Sequence, residues 1–171
     1  YKLELGKVKI DTQYIFALIS KSLQICDGYV QDDKGNVETI PTNKDEALIE
    51  TLDEMDAKHN KVVIWAAFRF SINKIRRILT RLGYGVLGLT GATEDPELVI
   101  KRFQHDKRYT ILLATQKKAA ESVTLTASKF AIYYSNHWSY DLRANSEARI
   151  RRKGSESGGR CGQRPSRSEP S

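Results

Sequence analysis

Apolar positions along the chain switch between two periods, and the switch lays out the elements. From Asp11 to Cys26 the residues Tyr14, Ile15, Leu18, Ile19, Leu23 and Ile25 recur at near-helical spacing, which predicts a helix that Gly28 stops. Gln31 to Thr42, with Asp32, Asp33, Gly35, Asn36 and Pro41, reads as a surface loop holding a short extended piece at Val37 to Ile40. Asn43 followed by Glu46 makes a capping-box pattern, opening a second helix through Ala47, Leu48, Leu52 and Met55 that ends near His59. Lys61 to Phe68 is then almost continuously apolar, as a strand buried on both faces of a parallel sheet must be.

Strands and helices alternate from there. Ser71 is placed to cap a helix whose buried stripe is Ile72, Ile75, Ile78, Leu79 and Leu82 and which Gly83 ends. Val86 to Leu89 predicts a second strand. Asp95-Pro96 starts the next helix, through Leu98, Val99, Ile100 and Phe103, because proline in the first turn has no needed N–H to lose. Tyr109 to Ala114 is the third strand and Phe130 to Tyr134 the fourth, with Ser135 to Tyr140 turning into a last, arginine-bearing helix. This order predicts an α/β fold, an open parallel sheet with helices on both faces, preceded by a helical segment. The domain reading is a helical lead-in and surface loop at 1–42, the α/β lobe at 43–154, and a Gly/Ser/Arg tail at 155–171 with too little to bury to offset the entropy of ordering.

Composition narrows the partners only in part. The 171 residues suffice for one domain with a sizeable core. A net charge of +7 favours an acidic partner such as nucleic acid, although ribosome-associated and membrane-surface proteins share that balance. Cys26 and Cys161 are the two cysteines, which supports neither a disulfide framework nor a zinc site and fits a reducing compartment. No apolar run reaches membrane-spanning length, and no signal-peptide pattern opens the chain. A start at Tyr1 rather than Met suggests a piece of something longer.

Ligands of an open α/β sheet bind at the carboxyl ends of its strands. The segments to inspect are therefore Arg69-Phe70, Thr90 to Glu94, Thr115 to Ala120 and Ser135 to Tyr140. Arg69, Lys117 and Lys118 are basic, and Thr90, Gly91, Ala92 and Thr93 are small and polar, so these loops can follow a phosphate backbone; a solvated sheet edge is the plain alternative. In the run Asn145 to Gly154, Arg149 and Arg152 stand three apart and share a helical face, while Glu147, four before Arg151, can hold that arginine in a surface ion pair. Two free guanidiniums on one face suit phosphate oxygens, against the alternative of a solvated basic helix end.

Several motifs are decoys. Gly83 to Thr90 has phosphate-loop glycine spacing, but Leu89 stands where the lysine belongs and the segment leads into a strand. Asp53-Glu54-Met55-Asp56 looks like a magnesium-holding acidic box, yet it lies on the polar side of the second helix and reads as solvated. His59, His105 and His137 have no partner spacing for a metal or a nucleophile.

Taken in order, these segments resemble the second RecA-like lobe of superfamily-two helicases, most of all Swi/Snf-type DNA translocases and their compact bacterial and phage relatives. Leu23 to Cys26 and Asn43 to Met55 resemble the helices before the lobe's first strand, which Lys61 to Phe68 resembles. Tyr84 to Thr93 followed by Val99 to Phe103 is similar to the family's strand, small-residue loop and helix. Leu112 to Ala127 resembles its threonine segment, Asn136 to Ser139 its aromatic turn, and Asn145 to Gly154 its Q-A-x-x-R-x-x-R-x-G box. Ala119, Ala120 and Ser122 stand where the family has glycines, which removes backbone freedom and predicts weakened activity; Asn145 and Ser155 replace glutamines.

The resemblance implies that Arg149 and Arg152 act as arginine fingers on ATP held by a first lobe. It implies that Thr115, Gln116, Lys117 and Lys118, with Arg69, Thr90, Gly91 and Trp138, form the nucleic-acid surface. DNA is the implied partner, with RNA not excluded. ATP and Mg²⁺ would be bound mainly by the first lobe, which is absent from this chain, so this chain alone is expected to be inactive. The implied compartment is the cytoplasm of a bacterial or phage-infected cell, or the nucleus of a eukaryotic one. A stand-alone, non-catalytic nucleic-acid-binding α/β module is the main alternative, and a flavodoxin-like regulatory domain a weaker one.

Overall fold

The computed structural model describes residues 2–5, 8–11, 15–116, 125, 127–136 and 140–150; for those up to 11, and for 140, 149 and 150, it describes the backbone alone. In chain order the elements are β1 (Lys2–Leu5), β2 (Val8–Asp11), α1 (Ile15–Cys26), β3 (Tyr29–Gln31), β4 (Val37–Thr39), α2 (Lys44–Glu54), β5 (Val62–Ala66), α3 (Arg69–Arg81), β6 (Val86–Leu89), α4 (Pro96–His105), β7 (Ile111–Thr115), β8 (Phe130–Tyr133) and α5 (Tyr140–Ile150). Four of the strands form one sheet in the order β6-β7-β5-β8, all parallel.

The apolar runs are explained by what covers the sheet. Successive strand residues point to opposite faces. Val62, Ile64 and Ala66 of β5, with Ile111 and Leu113 of β7, meet Leu48 and Leu52 of α2 and Ile72, Ile75 and Leu79 of α3. Val63, Trp65, Leu112 and Ala114 face the other way, against Val99, Ile100 and Phe103 of α4. With helices on both faces, a polar side chain at any of these positions has no water to reach.

The amino-terminal part departs from the expected helix. Asp11 closes an antiparallel β1–β2 hairpin, and α1 begins only at Ile15. The alternation Leu3, Leu5, then Val8, Ile10 around Gly6-Lys7 is a period-two signal that a helical reading of Asp11 onward overlooks. The expected extended piece near Val37 is β4, paired with β3. Gly28 ends α1 as expected, at φ +81°.

Two expected caps are replaced. Asn43 is the N-cap of α2 but makes no side-chain cap bond, so there is no capping box. Phe68, not Ser71, precedes the first residue of α3, and Ser71 lies inside the first turn, fully buried. Its hydroxyl instead donates to Asp27 Oδ2 at 2.6 Å. The acidic run of α2 is exposed at Asp53, Glu54 and Asp56 as expected, and Asp53 also accepts from the Tyr84 hydroxyl at 2.9 Å.

Asp27 is fully buried at the end of α1. Its Oδ1 accepts from Lys44 Nζ at 2.8 Å and its carbonyl from Lys74 Nζ at 2.9 Å. Lys74 pairs with Asp45 at 3.0 Å, and Asp45 accepts from the Tyr134 hydroxyl at 2.8 Å. One carboxylate thus ties α1 to the starts of α2 and α3, and a second carries the chain of bonds to the end of β8. Tyr29, beside it, stacks on Phe70 at 4.2 Å and meets Phe68 edge-on.

Removing one partner of a buried ion pair strands the other. Asp27→Ala is expected to lower unfolding stability by about 3 kcal/mol, the low end for a buried pair because Lys44 is partly exposed. Asp33→Ala, whose carboxylate is 91% exposed beside Lys21, should stay within about 0.5 kcal/mol. Urea melts of both variants compare them directly.

The tyrosines set an alkaline limit. Burial, then the hydrogen bond to Asp53, pushes Tyr84 up to about 12, while burial raises Tyr29 and Tyr134 as well. Because the folded value lies above the unfolded one near 10, the stability from Tyr84 is complete below pH 10 and is lost as pH rises through about 12. Tyr84→Phe should flatten part of that loss in stability measured across the window.

Candidate functional site

Parallel pairing puts all four carboxyl ends of the sheet on one edge. Leu89 pairs with Ala114, Thr115 with Ala66, and Trp65 with Tyr133. One residue on, Thr90, Thr115, Ala66 and Tyr134 therefore stand in a row across the sheet, about 14 Å long at the usual spacing of neighbouring strands.

The loop after β6 is closed by its own threonines. Thr93 Oγ1 accepts from Thr90 N at 2.9 Å, and Thr90 Oγ1 accepts from Ala92 N at 3.3 Å. Gly91 is exposed, and a Cβ there would meet nothing within 4 Å, so the glycine leaves open space in front of the loop. Arg69, the first residue of α3, is exposed beside the end of β5.

The segment after β7 begins differently from a solvated loop. Thr115 belongs to the strand and is buried, and Gln116 is 1% exposed. Gln116 Nε2 donates to Asn136 Oδ1 at 3.2 Å, joining the ends of β7 and β8. Ser135 Oγ accepts from Ala67 N at 2.9 Å, joining β8 to the turn before α3. Lys117, Lys118 and Trp138 lie outside the described residues, as do Arg151 and Arg152.

Helix α5 is fastened onto this edge by a residue that sequence reasoning missed. Arg143 Nη1 donates to Asn136 Oδ1 at 2.8 Å, and its guanidinium lies 3.4 Å from the centre of the Tyr133 ring. Arg143 Nε also donates to Glu147 Oε1 at 2.6 Å. Glu147, expected to hold Arg151, is thus engaged one turn earlier. Fully buried Ser146 closes the contact, its hydroxyl 2.9 Å from that of Tyr133. The backbone of Arg149 belongs to this helix, and its side chain lies outside the described residues.

The edge therefore combines a rigid row of strand ends, one exposed arginine, an open small-residue loop and a helix clamped at the far side. Among the described residues no group of three or more His, Cys, Asp or Glu side chains is placed to hold a metal ion. No helix among them is long and apolar enough to cross a membrane.

Arg143→Ala should free α5 without unfolding the sheet. Losing a charge-assisted hydrogen-bond set and a cation–ring contact is expected to speed amide exchange in 143–150 by about tenfold, or ~1.4 kcal/mol of opening energy. Exchange in β5 and β7 should stay unchanged when measured in the same sample.

Known proteins are similar to this chain in architecture and, more distantly, in sequence. The helicase SWR1 of Candida albicans is 22% identical over 154 residues, covering 88% of this chain but only 9% of that protein. Among solved structures, the C-terminal part of the Fun30 ATPase domain aligns with a TM-score of 0.63 at 25% identity, over 67% of this chain and 38% of that one. The C-terminal domain of the Sulfolobus solfataricus SWI2/SNF2 ATPase has the same fold, with a TM-score of 0.50 at 21% identity over 57% of this chain and 44% of that one. The pattern of the helicase conserved C-terminal domain spans residues 43–154, from the start of α2 past the end of α5, and the chain belongs to that family.

Proposed function

We propose that this chain acts as the second lobe of an ATP-driven DNA helicase or translocase. It supplies arginine fingers and a phosphate-tracking edge to an ATPase site whose nucleotide-binding loop sits on a first lobe. The observation that carries this reading is the helicase C-terminal match through residue 154, which takes in the arginine box, together with the bond by which Arg143 holds α5 to the carboxyl edge.

In this reading the first lobe binds ATP and Mg²⁺, and Arg149 and Arg152 meet the γ-phosphate when the lobes close. Guanidiniums there offset charge that develops only in the transition state. Arg69, Thr90 and Gly91 contact phosphates directly. Buried Thr115 and Gln116 act through the direction in which the chain leaves β7, which presents Lys117 and Lys118, while Trp138 borders the strand from the turn after β8. Lobe closure on ATP then moves the edge along DNA. The compartment is wherever that DNA lies, the nucleus of a eukaryote or the cytoplasm of a bacterial or phage-infected cell.

The chain alone should hydrolyse no ATP, with or without DNA. In a two-lobed protein carrying it as the second lobe, Arg149→Ala and Arg152→Ala should each lower kcat by about 10³ or more, roughly 4 kcal/mol, while DNA affinity changes little. Arg151→Ala should cost less than about 1 kcal/mol, as a surface cation does. Steady-state kinetics that gave equal, mild losses at all three positions would reduce the box to a solvated basic helix end.

A further inference from the structure

Helix α3 carries a stripe of arginines that starts at Arg69 on the carboxyl edge and continues beyond it. Its exposed positions are Arg69, Asn73, Arg76, Arg77, Thr80 and Arg81. At about 100° per residue these fall within roughly 140° of arc, opposite the buried Ser71, Ile72, Ile75 and Leu79. From Arg69 to Arg81 the stripe runs about 18 Å at the rise of an α-helix.

Among the described residues none of the four arginines forms an ion pair, whereas Lys44, Lys74, Arg108 and Arg143 all do. Arg76 is also given a seat. Its guanidinium lies over Gly88 of β6, an edge strand of the sheet, where any Cβ would overlap it. A glycine in a strand costs stability, and here it leaves a groove for the guanidinium.

We propose that this face of α3 is a docking surface for the phosphate backbone of duplex DNA, formed by Arg76, Arg77 and Arg81 and continuous with Arg69 at the carboxyl edge. The inference deepens the nucleic-acid reading of that edge and rests on it for the identity of the polymer. Charge complementarity favours a polyphosphate over an acidic protein. The exposed positions of the helix hold only Arg, Asn and Thr, with no aromatic or aliphatic anchor of the kind that centres a protein interface. Arginine and short polar side chains are what backbone contacts use. A length of about 18 Å spans about five base-pair steps of 3.4 Å, enough for several phosphates to engage at once.

The test uses the whole chain and a short, labelled duplex of mixed sequence, titrated across a range of salt. The triple variant R76Q/R77Q/R81Q should bind at least about tenfold more weakly at low salt. Its log-affinity against log-salt slope should be shallower by about 2.7, because each neutralised phosphate contributes about 0.9. The matching R76K/R77K/R81K keeps the charges and should retain the slope. Lys117→Ala probes the edge separately and should remove about 0.9 from the slope in either background.

A folded glutamine triple variant with unchanged affinity and slope overturns the α3 surface, whatever Lys117→Ala does. A loss confined to Lys117→Ala does the same while leaving the edge intact. A loss confined to the triple variant supports α3 and counts against the edge. Weakened binding of poly-glutamate with DNA binding unchanged overturns the proposal in favour of an acidic protein partner. If circular dichroism finds the triple variant unfolded, Arg77→Gln and Arg81→Gln taken singly should each reduce the slope by about 0.9, and unchanged slopes overturn the proposal.

Discussion

A carboxylate without water must be satisfied by the protein, and Asp27 meets that demand with groups from two helices. Lys44 from the start of α2 and Ser71 from the first turn of α3 hold its oxygens, and Lys74 holds its carbonyl. These bonds are strong because the site is dry, and for the same reason none can be dropped cheaply. They fix where α2 and α3 begin. Since α3 begins at the carboxyl end of β5, Asp27 also fixes where Arg69 and the arginine stripe behind it stand. The lead-in is thereby joined to the lobe it precedes, with Tyr29 packed against Phe68 and Phe70 beside the same site.

The far side of the edge is held by different chemistry. Asn136 takes one bond from Gln116 and another from Arg143, so the ends of β7, β8 and α5 meet at one amide oxygen. Arg143 is committed to structure: its charge is shared between Glu147 and the face of Tyr133. The helix is thereby fixed near its first turn, leaving its far end to be set by the rest of the chain.

Much of the sheet was legible because burial on both faces leaves a long apolar run, as in Lys61 to Phe68, that only a parallel interior strand needs. The β1–β2 hairpin was not, since its alternation abuts a helical pattern and Asp11 can begin either. The caps failed for a physical reason. Ser71 has the residue type and position of a cap, but Asp27, far off in sequence, offers its hydroxyl a stronger acceptor. Glu147 shows the same limit: Arg143 and Arg151 are both four residues away, and spacing cannot choose between them. What chooses is Asn136 and the Tyr133 ring, which hold Arg143 in reach. Asp53 is exposed as read, but its bond from Tyr84 was not legible because that partner belongs to another segment. The carboxyl-edge loops were found by the rule for open sheets, yet that rule ends at Arg69 and says nothing of the rest of α3.

The central claim is that α5 delivers its arginines to a nucleotide on another lobe. Amide hydrogen exchange tests it most directly, in a two-lobed protein carrying this chain, bound to DNA and compared with and without an ADP–aluminium fluoride transition-state mimic. The account predicts slowed exchange from the last turn of α5 through residue 154 when the mimic binds, with β6 and α4 unchanged. Identical exchange across that segment in the two states, with the mimic shown to be bound, would contradict it.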